Sequence, residues 1–280
     1  MKSTAELAAD QAAFWNGKGG QMWLGSYERI QKSLADYGEA ALTAAAAKPG
    51  EKVLDIGCGT GTTTGRLAAA VGPNGHVMGV DLSEALISVA RQQKLPNASF
   101  AVGDATIYPF EPAMFDLVFS RFGVMFFADP ILAFKNLQRA LKPGGRLVFV
   151  CWRSPDENPW GSVPMRAAAP HLPPLERPGP EDPGQYAFAD PARVERILKA
   201  AGFGAPSFAR LDAMNFMGRD VPDVLDNLGK FGPLARLFGE ATPPQVAAAK
   251  KAIAGALAPH VGADGVSLAG ACWLVSAAQH

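Results

Sequence analysis

Cysteine and histidine are scarce in this chain of 280 residues, with three of the first and four of the second. Cys58, Cys151 and Cys272 fit no zinc-binding spacing, and His76, His171, His260 and His280 do not cluster with them. No metal site is therefore expected. So few thiols, two of them inside apparent strands, give no disulfide framework and suit a reducing cytoplasm. Net charge is also missing, since 26 Lys and Arg balance 26 Asp and Glu. A balanced chain has no overall field to draw it to nucleic acid or to an anionic membrane. No apolar run approaches the ~18 residues that a membrane helix needs. The opening Met1-Lys2-Ser3-Thr4-Ala5-Glu6 contains no apolar signal core, which adds to the expectation of a cytoplasmic protein.

What is present starts with length. A chain of this size hides about three quarters of its unfolded surface, so one large domain, or one domain with insertions, is expected. Its most informative stretch is 53–65. Val53, Leu54 and Ile56 read as a short buried parallel strand, apolar almost without break. Gly57, Gly59 and Gly61 follow at alternate positions, and a helical stretch runs from about Thr62 to Ala70. A strand, a glycine-rich turn and a helix N-terminus form a cradle where backbone approaches a ligand closely. The dinucleotide fingerprint G-x-G-x-x-G would place its third glycine at position 62, which is Thr62 here. Asp55 sits just before the turn, where a carboxylate repels a diphosphate but suits an ammonium or sulfonium group. Both features conflict with a nicotinamide-dependent dehydrogenase and point to S-adenosylmethionine.

Val53–Gly61 is similar to the first motif, D-x-G-x-G-x-G, of the class I S-adenosylmethionine-dependent methyltransferases. Four further segments resemble that family's pattern in order. Gly79-Val80-Asp81-Leu82-Ser83 resembles the end of its second strand, and the resemblance gives Asp81 the ribose hydroxyls. Asp81 lies 24 residues after Gly57, near the ~20 expected of a ribose-binding acid. Phe100–Ala105 resembles the third strand end, implying that Asp104 and Ala105 meet the adenine. Phe115–Phe122 resembles the fourth strand, whose end at Ser120 and Arg121 faces the methionine portion in the family. Leu141–Phe149 carries the L-x-P-G-G turn that begins the fifth. The implied cofactor set is completed by Cys58, Thr60 and Thr62 in the loop, Leu82 beside Asp81, and Gly103 before Asp104.

The implied fold is a Rossmann-like, doubly wound, mostly parallel seven-stranded α/β sheet with an antiparallel last strand. Strands are expected at 52–56, 77–81, 99–102, 115–120 and 146–150, with helices between them. Residues 1–48 read as a helical segment that folds over the cofactor, with Trp15 and Trp23 as lid aromatics and Gly19-Gly20 as a flexible spot. Residues 49–152 form the cofactor-binding core. Ten of the 23 prolines fall between Pro155 and Pro191, interleaved with Trp160, Met165, Leu172, Leu175, Tyr186 and Phe188. That mixture marks 153–190 as an insertion covering the acceptor site, since a linker would lack the apolar residues. The remainder, 191–280, belongs to the same domain. It starts with a helix capped by Asp190-Pro191, then strands at 207–216 and 270–277. A helical insertion at 217–268 separates those two strands.

The resemblance implies transfer of a methyl group from S-adenosyl-L-methionine, with S-adenosyl-L-homocysteine as product, to an O, N or C atom of a small-molecule acceptor. The texture is nearest the quinone- and natural-product-methylating branch. Methylation of a protein or RNA, and non-catalytic binding of the cofactor, are the alternatives. Methyl transfer from a sulfonium needs donor and acceptor held in line and water excluded, with little demand on catalytic side chains. Should a general base be needed, His171 and His260 are the candidates, because both lie in segments that would cover the acceptor. Phe122 and Met125 are candidate pocket wall.

Overall fold

Five apolar segments form the parallel strands β1 (Lys52–Ile56), β2 (His76–Asp81), β3 (Ala98–Val102), β4 (Phe115–Arg121) and β5 (Leu141–Trp152). They belong to a computed structural model that describes residues 2–174, 179, 181–230 and 232–279. Leu175 and His280 lie outside the described residues. Three more strands follow: β6 (Ser207–Gly218), the two-residue β7 (Val261–Gly262) and β8 (Gly265–Ala278). The sheet order is β3-β2-β1-β4-β5-β8-β6, and β7 pairs only with β8. β8 runs antiparallel to both of its main neighbours. This is the mostly parallel, Rossmann-like sheet with an antiparallel last long strand that the sequence implies, plus one short extra strand.

Strands covered on both faces must be apolar throughout, and Val53, Leu54, Leu117, Val118, Phe119 and Phe149 are all fully buried. Helix α5 (Thr62–Val71) links β1 to β2, and α6 (Glu84–Arg91) links β2 to β3. On the other side of β1, α7 (Pro130–Ala140) links β4 to β5. Because such crossovers are right-handed, the reversal of direction at β1 puts α5 and α6 on one face and α7 on the other. The strand ends at this switch point, β1 and β4, open a crevice. Phe134 of α7 packs on Phe149 and Phe188 with ring centroids 5.8 and 6.1 Å apart, which seals the α7 face.

Four helices precede the sheet: α1 (Thr4–Asn16), α2 (Lys18–Gly25), α3 (Tyr27–Ser33) and α4 (Ala35–Ala45). Gly19 and Gly20 are not the flexible spot expected from the sequence; both are buried within α2. A Cβ on Gly20 would lie 2.4 Å from the Trp15 carbonyl oxygen and 2.9 Å from Ser83 Oγ, and one on Gly19 would lie 2.5 Å from the Phe14 ring. The glycines are there for close approach of α2 to α1 and to the end of β2.

The turn expected at Lys142–Gly145 is a bulge inside β5, where the register with β4 shifts between Phe115 and Leu117 and Gly144 takes φ +76°. The last strands are also longer than the sequence suggests. β6 and β8 make a hairpin that continues past β5, pairing Phe216 with Ser267 and Gly218 with Val266. On this extension rests a second hydrophobic cluster, built by α8 (Pro159–Ala168), α10 (Val221–Leu228), α11 (Gly232–Glu240) and α12 (Pro243–Leu257). Helix α9 (Pro191–Ala200), capped by Asp190 as expected, packs against α7 instead.

Candidate functional site

The crevice at the ends of β1 and β4 widens into a cavity of about 410 Å³, within the ~300–1,000 Å³ of small-molecule sites. Its inner end is the glycine loop. Gly57, Gly59 and Gly61 have φ of +66°, +56° and +82°, a backbone that only glycine adopts without strain. At Gly57 the reason is also contact, since a Cβ there would lie 2.7 Å from Gly123 Cα, which follows β4. At Gly59 the nearest atom to such a Cβ is Trp23 Nε1 at 3.7 Å. There the missing side chain leaves room between the loop and the N-terminal helices.

Asp81 anchors the loop. Its Oδ2 accepts the Gly59 N–H at 2.8 Å and its Oδ1 accepts the Ser83 N–H at 2.9 Å. Burial pushes its carboxyl above the usual carboxylate range, against the pull of those N–H groups. Asp104 holds the next strand end in the same way, accepting the Thr106 N–H at 2.8 Å. Arg121 closes β4 with Nη2 donating to Gln31 Oε1 at 3.1 Å, and no carboxylate among the described residues forms an ion pair with it. Burial pulls the Arg121 guanidinium below its ordinary range while the charge of Asp55 opposes that shift.

Of the residues that the sequence nominates for the cofactor, the cavity wall includes Trp23, Gly57, Cys58, Gly59, Thr60, Thr62, Asp81, Leu82, Gly103, Asp104, Ala105 and Arg121. Three are placed elsewhere. Asp55 is not in the wall. It lies fully buried beneath the loop, where Oδ2 accepts the Thr63 and Thr64 hydroxyls at 2.8 and 2.7 Å. The alternation of β1 turns its side chain under the first turn of α5, where a carboxylate also meets the positive helix end. Gly61 is the N-cap of α5, a structural position. Ser120 is buried and accepts the Gly123 N–H at 3.2 Å, fixing the turn that brings Phe122 round to the cavity.

The two candidate bases also lie elsewhere. His171 ends a short 3-10 turn after α8, and His260 is exposed at the start of the β7–β8 hairpin. Neither is in the cavity wall. The insertions that carry them fold onto the hairpin extension as a cluster of their own. Among the described residues the wall contains two acids, Asp81 and Asp104, and no His, Lys or Glu. No group of three His, Cys, Asp or Glu among the described residues could hold a metal ion, and no helix among them is long and apolar enough to cross a membrane.

Several wall residues escape the sequence reading. Gln11 of α1 reaches the cavity with its buried Oε1 unpartnered. Arg29 of α3 lines it and pairs with Asp223 of α10 at 3.1 Å, tying the N-terminal helices to the C-terminal insertion. Lys32, one turn on, sits 3.6 Å from the centre of the Phe216 ring. The outer end of the cavity is aromatic: Phe122 stacks on Trp152 with centroids 4.6 Å apart, and Trp160 lies 4.9 Å from Trp152. Phe122 has φ +62°, a strained backbone for an aromatic residue and one that aims its ring across the switch point. Asn215 of β6 completes this end.

Residues 47–170 match the family described as "Methyltransferase domain". Over those residues the chain is similar to methyltransferase domains. The chain is 42% identical over 103 residues to demethylmenaquinone methyltransferase of Staphylococcus aureus, an alignment covering 36% of this chain and 43% of that protein. The chain thus spans less than half the length of the curated relatives it matches. Two solved structures share the fold. The YcgJ protein of Bacillus subtilis aligns with TM-score 0.55 at 18% identity, over 87% of this chain and 97% of that one. Phosphoethanolamine N-methyltransferase 2 of Haemonchus contortus, solved with phosphomonomethylethanolamine and S-adenosylhomocysteine, aligns with TM-score 0.52 at 21% identity, over 87% and 52%.

Proposed function

We propose that this chain is a cytoplasmic enzyme that transfers the methyl group of S-adenosyl-L-methionine to a small, largely apolar acceptor. The observation that carries the reading is a single cavity with the glycine loop at one end and the Phe122–Trp152–Trp160 aromatics at the other. It is roofed by α1–α3 and by the C-terminal insertion, which Arg29 and Asp223 join. A roofed chamber suits a molecule that enters whole better than the side chain of a protein or a base in RNA.

The residues present fit the cofactor. The bare Gly59 backbone admits close approach. Asp81 keeps lone pairs beyond its two backbone bonds for ribose hydroxyls, and Gly103, Asp104 and Ala105 flank the place for an adenine. Arg121 is the cation for an α-carboxylate, and the unpartnered Gln11 oxygen is one further acceptor. When bound, the cofactor supplies an electrophilic methyl group on a positively charged sulfur and leaves as S-adenosyl-L-homocysteine.

The rest is orientation. The aromatic walls exclude water and hold the acceptor in line, the main requirement of a direct displacement. With no His, Lys or Glu in the described wall, the reactive acceptor atom must carry its own lone pair or ionise unaided. The test is incubation of the purified protein with methyl-labelled S-adenosylmethionine and a cell extract, followed by fractionation by size. Label in the small-molecule fraction is expected. Label only in macromolecules, or binding of the cofactor with no transfer to any fraction, would overturn the reading.

A further inference from the structure

At the aromatic end of the cavity one buried polar side chain has nothing to bind. Asn215 is 1% exposed and lines the cavity, and its Oδ1 is buried with no hydrogen-bond partner among the described residues. Native structures keep few such groups, because an unpaired buried carbonyl is costly. Its surroundings offer no relief. Across the hairpin Gly270 has no side chain, and a Cβ there would lie 2.3 Å from the Tyr37 hydroxyl, 3.0 Å from Asn215 Oδ1 and 3.2 Å from Trp160 Cδ1. Those three groups therefore converge, yet the two donors among them are committed elsewhere. Tyr37 donates to the Ala213 carbonyl at 3.1 Å, and the Trp160 indole N–H donates to Asn158 Oδ1 at 3.0 Å.

A buried carboxamide oxygen without a donor, in the wall of a cavity lined by aromatic rings, suits a recognition element. We infer that Asn215 determines acceptor specificity by hydrogen bonding a hydroxyl group on a planar, conjugated acceptor stacked among Phe122, Trp152 and Trp160. A hydroxyl both donates and accepts, so it satisfies the carboxamide whichever end it meets. Of the ionisable groups among the described wall residues, Arg29 is paired with Asp223. The inference rests on the methyltransferase reading above and adds to it the chemical class of the acceptor.

The probes are 2-naphthol and 2-methylnaphthalene, which share a shape and differ in hydroxyl against methyl. Each is titrated calorimetrically into protein saturated with S-adenosylhomocysteine. Wild type is expected to bind 2-naphthol at least about tenfold more tightly, despite the greater hydrophobicity of the methyl compound, because a site built to pair a hydroxyl rejects the analogue lacking it. Asn215→Leu should abolish or reverse that preference and leave affinity for S-adenosylhomocysteine unchanged. Equal binding of the two probes by wild type, binding of neither, or a preference that survives in Asn215→Leu would overturn the inference. The wild-type preference is read without any variant, so it stands as a test even if Asn215→Leu misfolds. Failure to bind S-adenosylhomocysteine at all would instead overturn the methyltransferase reading beneath it.

Discussion

Replacing Gly57 by alanine isolates the tightest contact in the site. The residue sits at φ +66°, and the added Cβ would lie 2.7 Å from Gly123 Cα, where ordinary contact begins at 3.4 Å. Two costs follow. Holding an L-residue in the left-handed region costs about 1–2 kcal/mol. Forcing apart two backbone segments, neither of which ends in a flexible side chain, costs about 1–3 kcal/mol more, as in other overpacked positions. The expected destabilisation is therefore about 2–5 kcal/mol, or roughly 4–10 °C in thermal midpoint for a chain of this size. Gly50→Ala is the control: φ is +84° there, and nothing lies within 4 Å of the added atom. It should show the backbone cost alone. Thermal unfolding followed by circular dichroism reads both variants without cofactor. A Gly57→Ala protein no less stable than Gly50→Ala would refute the claim that packing of the β1 and β4 ends fixes this glycine.

Asp81→Ala should weaken cofactor binding more than tenfold in a calorimetric titration, corresponding to ~1.5–3 kcal/mol of charge-assisted hydrogen bonds; unchanged affinity would remove Asp81 from the site. His171→Ala and His260→Ala should each turn over at the wild-type rate, and a tenfold loss in either with cofactor affinity intact would restore it as a candidate base. Arg29→Ala should loosen the roof, raising the acceptor KM and speeding proteolysis of the N-terminal helices. Asp223→Ala should add little to it, and additive effects in the double variant would argue against one shared latch. Burial lifts the Asp55 carboxyl to about 6, against the Thr64 and Thr63 hydroxyls. A carboxyl raised in the folded state binds its proton more tightly there, so its stabilisation is complete below the unfolded value and is lost as pH rises through the folded one. The stability of wild type relative to Asp55→Asn should thus fall by about 3 kcal/mol from about pH 4 to about pH 7. A flat difference across that range would mean that Asp55 titrates normally.

The sheet was legible because strands buried on both faces leave little choice of residue. Val53–Ile56 and Leu117–Phe119 are apolar for that reason alone, and the glycine loop between strand and helix narrows the topology further. Glycines in the N-terminal helices were harder to read. Gly19-Gly20 serves close approach, and nothing local distinguishes that from freedom of the backbone. The same limit applies to Asp55. Its position before the loop is visible in the sequence, but whether it faces ligand or helix depends on the alternation of β1. Asn215 did leave a signal. In Leu211-Asp212-Ala213-Met214-Asn215 the alternation turns Asp212 and Met214 outward and Asn215 inward with Leu211 and Ala213, which puts a polar group where the pattern calls for an apolar one.

Sequence drift falls differently on the two hydrophobic clusters. Substitutions in the first cluster disturb the strand ends that carry the glycine loop, and Phe122 and Trp152 with them. The second cluster rests on the free end of the β6–β8 hairpin, and Trp160 touches both clusters. Changes in α10–α12 can therefore resize the aromatic chamber while the donor end stays as it is. The hairpin extension works as a mounting for an exchangeable part, so segment 219–264 can change without rebuilding the glycine loop.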